Sequence, residues 1–459
     1  LQEHQKRKAA KDFFDEVEKH RAENLGLGEF FRRSPQHHLG TPVFLAPTTV
    51  HYSVDKAMKL VGLGENNLVT IDVDENLHLD MEDLKKQFHT LNSNKRPVIG
   101  VIGVLGTTEF GVVDPIDQIV EFRKELRKEN QDFYLHVDAA WGGYLAAIFR
   151  KKDGTWSRDS SQIRQGGMFG DFPSEKQFQA YYAVREADSV TVDPHKLGYL
   201  PYGSGAFVAR NRETARFMRQ DAPYVWGSDS GKRSQGTKEK LTDAVLKSTH
   251  GQYVIEGSRP GANSAGVYVT HKLLPLHREG FGTIVGRTLK VTKVFSEKIQ
   301  ALKEYLEKEK IARVCVPVKP ETNILCYVAN PYTNKDIDML NKFTELVFED
   351  LTNDPTRPLQ TFNFMVSSTT LPLKILPLQS QNRVLTELGL ARKRGTAHSD
   401  LSLTVLRHTL MNPWLGEVID EQYFYLEEYL KYMKSLFKQT IRKSKLKQKK
   451  TREQEENRE

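Results

Sequence analysis

A lysine and an aspartate, one just after and one at the end of a short apolar run, are the residues whose type and setting could do chemistry. Tyr134-Leu-His-Val-Asp138 leads into Ala-Ala-Trp-Gly-Gly143, and Asp188-Ser-Val-Thr-Val-Asp193 leads into Pro-His-Lys-Leu-Gly198. Both runs read as buried strands, and both end in charge followed by turn-forming residues. In open α/β sheets ligands sit just outside the carboxyl ends of parallel strands, so Asp138 and Lys196 are expected to converge on one crevice. A lysine amine can bond to a carbonyl carbon, and a carboxylate can keep a proton on a ring nitrogen. Ala140, two residues after Asp138, leaves space for a flat ring, and Pro194-His195 sets a tight turn before Lys196.

These are the needs of pyridoxal phosphate (PLP), which is carried on a lysine amine and withdraws electrons only while its pyridine nitrogen stays protonated. With His-Val-Asp-Ala-Ala and Asp-Pro-His-Lys together, the chain resembles the group II PLP-dependent amino-acid decarboxylases, nearest to their tyrosine decarboxylase-like subgroup, from about Thr41 to Trp414. The resemblance implies the α/β PLP-dependent transferase fold (aspartate-aminotransferase-like, fold type I), with a mostly parallel central sheet and a small α+β C-terminal domain. It implies Lys196 as the cofactor-bearing lysine, Asp138 as partner of the ring nitrogen and Ala140 under the ring. His51 in Thr-Thr-Val-His-Tyr-Ser would stack on the cofactor face, and His195 would contact the phosphate. Thr107 and Thr108 offer hydroxyls to the phosphate or ring, or else serve the turn. Tyr224 in Asp221-Ala-Pro-Tyr-Val-Trp226 resembles the proton donor of a mobile loop, with Tyr202 as the alternative. Arg407 resembles the arginine that engages the substrate carboxylate, a task its planar fork suits. Ser258, in Gly257-Ser-Arg-Pro-Gly261, resembles a segment reaching the neighbouring subunit's cofactor, which implies a homodimer.

The expected reaction is therefore a carboxy-lyase one: an L-amino acid, tyrosine above all and glutamate next, gives the amine and carbon dioxide. A PLP-dependent carbon-carbon lyase on the same fold, or a truncated relative without activity, are the alternatives. The family's Ser/Thr-Gly-Gly-Thr phosphate loop has no counterpart in the sequence, which is expected to begin inside the helix that follows that loop. One phosphate wall would then lie upstream or on another polypeptide, and residues 1–459 alone would hold the cofactor weakly.

The elements that must position these residues alternate. Strands are expected at 42–46, 68–73, 98–104, 134–138, 188–193 and 203–209, with helices at 54–63, 81–91, 116–128 and 175–187 between them, the signature of βαβ units. The unbroken apolar Val98-Ile-Gly-Val-Ile-Gly-Val104 marks a strand covered on both faces. A helix from His271 to about Leu306 should bridge to a smaller domain with strands at 312–318, 323–329, 362–367 and 403–411 and helices at 334–353 and 421–440. The expected division is 1–300 for the large cofactor-binding domain, 301–440 for the small one and 441–459 for a basic solvated tail.

The 459 residues carry a net charge of +8, and Arg442, Lys443, Lys445, Lys447, Lys449, Lys450 and Arg452 concentrate positive charge with no acid among them at the start of that tail. No aromatic residues are interleaved there for stacking on bases, so nucleic-acid binding is not expected. No apolar run approaches a membrane span. The two cysteines, Cys315 and Cys326, are too few for a disulfide framework and have no metal-ligand company, which fits a reducing cytoplasm.

Overall fold

The computed structural model describes residues 19–33, 39–211, 259–352, 355–361, 363–390, 401–419 and 421–456, besides scattered positions before residue 19 and Ile255. Among them, β1 (Val43–Pro47), β2 (Leu68–Ile71), β3 (Val98–Val104), β4 (Tyr134–Asp138), β5 (Ser189–Val192) and β6 (Ala206–Ala209) form one sheet in the order β2-β1-β3-β4-β5-β6. The pairs from β2 to β5 are parallel, whereas β6 runs antiparallel to β5. The connection from β5 to β6, residues 193–205, contains no helix, and β6 returns alongside β5 in the antiparallel sense.

Helices α1 (Ser53–Leu60), α2 (Met81–Ser93), α3 (Ile116–Lys128) and α4 (Glu175–Ala183) separate the parallel strands. Their starts are chemically marked. Asp80 accepts the backbone N–H of Glu82 and Asp83 at the head of α2, and Ser174 with Gln177 forms a reciprocal capping box at the head of α4. The α3 stripe Ile116, Ile119, Val120, Phe122 and Leu126 recurs at three- and four-residue spacing and is buried with Val101, Leu135 and Val137 of the sheet.

Beyond the large sheet, α5 (Gly261–Leu273) and α6 (Phe281–Lys308) replace the single helix expected over this stretch. Pro275 and Gly280 lie in the gap, and a proline without an N–H cannot carry a helix ladder onward. α6 is shared property: Phe281, Val285 and Leu289 pack in the large core, while Phe295, Ile299, Leu302 and Leu306 pack in the small one. The small domain's sheet, β7-β8-β10-β9, is antiparallel, with β7 (Ala312–Cys315), β8 (Ile324–Pro331), β9 (Ser367–Pro372) and β10 (Ser402–Thr409). It is covered by α7 (Ile337–Glu349), α8 (Leu378–Glu387) and α9 (Phe424–Glu456). β9 begins where the expected strand ends, and α8, framed by Pro377 and Gly389, was not foreseen. No helix among the described residues is long and apolar enough to cross a membrane.

Candidate active site

β3, β4 and β5 lie side by side with Val104 opposite Asp138 and Asp138 opposite Thr191, so their carboxyl ends open on one edge about 4.8 Å apart. Backbone bonds fix the approach: Ala139 N–H donates to Thr191 O at 3.0 Å, and Leu105 N–H donates to Asp138 O at 2.8 Å. After β5 the chain turns tightly, Lys196 N–H donating to Asp193 O at 2.9 Å and Leu200 N–H to Pro194 O at 3.2 Å. Only glycine fits at position 198, where an added Cβ would lie 2.4 Å from Pro194 O and 2.6 Å from Tyr144 Cζ. Beneath this turn the Tyr144 hydroxyl bonds His271 Nε2 of α5 at 2.8 Å, and burial pushes the Tyr144 phenol up to about 12.

Asp138 is half-buried. Its Oδ1 accepts the Ala140 N–H at 3.0 Å, while Oδ2 takes no hydrogen bond among the described residues. On the same face of β4, two residues earlier, His136 bonds Ser189 Oγ through Nδ1 at 2.8 Å and Thr191 Oγ1 through Nε2 at 3.3 Å. Burial holds its imidazole below the usual range, against the opposing pull of Asp138. Lys196 Nζ lies 3.0 Å from Asp193 Oδ2. His195 donates from Nδ1 to Ser204 O at 2.7 Å, and its ring stacks on that of Tyr202 with centroids 4.8 Å apart. Tyr202 is 84% exposed.

The loop after β3 is bound to the small domain. Thr107 is fully buried, and its Oγ1 accepts the Val112 N–H at 3.2 Å, so this hydroxyl serves the turn. The carbonyl of exposed Thr108 accepts from Arg407 Nε at 3.0 Å and Nη2 at 2.6 Å, and the Glu109 carbonyl accepts from Nε at 3.0 Å. Arg407 Nη1 reaches Thr409 Oγ1 at 2.8 Å and Ser367 Oγ at 3.2 Å. The fold thus brings Arg407 from β10 to the edge that carries Asp138, with its guanidinium engaged mostly by carbonyls. His51 follows β1 at the same edge, its Nδ1 bonded to Ser53 Oγ at 2.8 Å and its ring 4.3 Å from that of Tyr52. Tyr224 and Ser258 lie outside the described residues.

Two residues of this site escaped the sequence reading: Asp193, which holds the lysine, and His136, which is bonded under the same face as Asp138. Their only signal was position, one closing a strand three residues before the lysine and the other two residues before Asp138. The donor set fits PLP: a carboxylate with one oxygen unbonded among the described residues ends β4 beside the small Ala140, and an amine lies in the turn after the neighbouring parallel strand β5.

Comparison with known proteins agrees. Residues 31–161 match the model of the pyridoxal-dependent decarboxylase conserved domain. The chain is 31% identical over 405 residues to an L-tyrosine decarboxylase of Enterococcus faecium, covering 87% of this chain and 63% of that protein. It is 30% identical over 417 residues to the L-tyrosine decarboxylase of Enterococcus faecalis, covering 89% of this chain and 62% of that one. It therefore spans about three fifths of the length of these curated relatives. Among solved structures, mouse CSAD superposes with a TM-score of 0.56 at 17% identity, over 88% of this chain and 67% of that one. Oryza sativa TDC with PLP and tryptamine gives a TM-score of 0.56 at 15% identity, over 87% of this chain and 63% of that one. These likenesses carry the fold, which is that of the PLP-dependent decarboxylases, fold type I. Residues 31–161 thus carry the pyridoxal-dependent decarboxylase domain, and over most of its length the chain is similar to L-tyrosine decarboxylases.

Proposed function

We propose that the protein is a PLP-dependent carboxy-lyase that converts an L-amino acid, aromatic and tyrosine-like, to its amine and carbon dioxide. The observation that carries the reading is the placement of Asp138 at the carboxyl end of β4, with one oxygen unbonded among the described residues, and of Lys196 in the turn that follows the adjacent parallel strand β5. The aromatic substrate rests on the names of the relatives.

When bound, PLP draws electrons away from the Cα–carboxylate bond of an amino acid joined to it, so that carbon dioxide can leave. The role of Lys196 is to hold the cofactor through its amine and yield that place to the substrate amine. Asp138 would keep a proton on the ring nitrogen, since a nearby carboxylate favours the positively charged form. Ala140 leaves the ring its space. His195, fixed by Ser204, stands beside the lysine for the phosphate, and His51 serves the cofactor face. A tyrosine returns the proton to Cα: Tyr224, with Tyr202 second. Arg407 orients the substrate carboxylate with whatever donor capacity its carbonyl contacts leave.

The same reading divides the chain into a large domain to residue 300, a small one over 301–440 and a basic end. It makes the working unit a cytoplasmic homodimer with Ser258 reaching the partner's site. The test is amine production from tyrosine, phenylalanine and glutamate by the full-length protein with added PLP, with labelled carbon dioxide counted in parallel. Tyrosine should give stoichiometric tyramine and carbon dioxide, and a carbonyl product without carbon dioxide would refute the assignment.

A further inference from the structure

Asp193 stands at the junction between β5 and the lysine turn, where a carboxylate has a purpose beyond shaping the turn. Its side chain is 16% exposed, and the single oxygen Oδ2 faces two nitrogens, Lys196 Nζ at 3.0 Å and His195 Nε2 at 3.5 Å. His195 Nδ1 gives its proton to the Ser204 carbonyl at 2.7 Å, which fixes the ring and leaves Nε2 turned to the carboxylate. The other oxygen lies near Gly205, just before β6, where an added Cβ would come within ordinary contact of Oδ1 at 3.5 Å. The Lys196 N–H to Asp193 O bond at 2.9 Å sets the separation of the two side chains through the backbone. Most exposed ion pairs are weak because two long side chains must be ordered. Here the short aspartate is already largely buried, and only the lysine has freedom to lose.

We propose that Asp193 is a positioning residue that holds the Lys196 ammonium beside the mouth of the site whenever that amine is not joined to the cofactor. The pairing prevents the charged amine from wandering to solvent or to Asp138, whose unbonded oxygen is thereby kept for the ring nitrogen. It also restrains the lysine: nitrogen must shed a proton and leave the carboxylate before its lone pair can bond carbon. This role rests on the reading of Lys196 as the cofactor-bearing lysine.

The experiment measures Lys196 itself. Full-length protein freed of cofactor is briefly acetylated, and each lysine's rate is read by peptide mass mapping in the unaltered protein, Asp193→Asn and Asp193→Glu. Loss of a charge-assisted hydrogen bond should raise the Lys196 rate by roughly tenfold over that of the other lysines, and Asp193→Glu should bring it back towards the starting value. A purely turn-shaping aspartate would leave that ratio unmoved. Should Asp193→Asn fail to fold, Asp193→Ser retains an oxygen at the turn and is read in the same way. In parallel, PLP and borohydride are added and the labelled peptide identified. An adduct on another lysine would overturn the reading of the site and this role with it. An adduct on Lys196 together with an unchanged acetylation ratio would overturn only the role of Asp193.

Discussion

Asp138 and Arg407 hold opposite positions at the scale of single residues. Asp138 keeps an oxygen unbonded at a strand end, whereas Arg407 spends its donors on the Thr108 and Glu109 carbonyls and two hydroxyls. Asp138→Asn should leave PLP bound, as judged by its absorbance, while decarboxylation falls by roughly a hundredfold or more, the scale of losing one aimed electrostatic partner. Near-normal turnover would remove Asp138 from the chemistry. Arg407→Ala should cost stability as well as activity, since the carbonyls of Thr108 and Glu109 lose a charged donor worth about 1.5–3 kcal/mol. Denaturant titration measures this, and an unaltered midpoint with altered substrate affinity would mean that Arg407 acts on substrate alone. Lys196 and Asp138 stand out in the sequence because one follows and the other ends an apolar run in an uncommon motif. Asp193 does not, because a carboxylate three residues before a lysine is ordinary turn chemistry until the distances are known.

Between elements, the loop before α2 and the strand leading into β8 are joined by charge. His78 bonds Asp74 Oδ2 through Nδ1 at 3.0 Å and Glu321 Oε1 through Nε2 at 2.8 Å, while the other Glu321 oxygen accepts the Val113 N–H at 2.8 Å. Burial opposes its charge, yet the two carboxylates win and raise the imidazole to about 10. Because the folded value lies above the unfolded one near 6.5, the stabilisation is complete below pH 6.5 and is lost as pH rises through about 10. His78→Gln should therefore destabilise by about 1.5–3 kcal/mol at pH 6. The gap between the two proteins should narrow on going to pH 10. Urea midpoints at the two pH values check this, and a gap that widened with pH would contradict the assignment. Helix α3 was readable to the residue because its apolar spacing is regular and its flanks are polar. The α5–α6 break is marked locally by Pro275 and Gly280 but lies between apolar stretches that read as one helix, and β9 was misplaced because the apolar stretch 362–366 precedes the Ser- and Thr-rich segment that pairs.

For the whole molecule, the consequence of α6 is cooperativity. One helix supplies side chains to both cores, and a third cluster joins Val73, Leu77, Phe110 and Val112 of the large part to Ile324, Cys326 and Val405 of the small one. The two parts should melt together, with tryptophan fluorescence and far-ultraviolet dichroism giving one transition temperature, whereas separated transitions would show that the shared helix does not couple them. The alternation of apolar runs announced the parallel sheet, but the return of β6 and the docking of the small domain on the β3 loop depend on contacts between distant segments. These elements set Asp138 at the end of β4 and Lys196 in the turn after the neighbouring strand β5. The most direct test of that arrangement is borohydride reduction of the full-length protein loaded with PLP, followed by mass mapping of the modified peptide. The account predicts a single adduct on Lys196, absent from Lys196→Ala; an adduct on any other lysine, or one that persists in that variant, would contradict it.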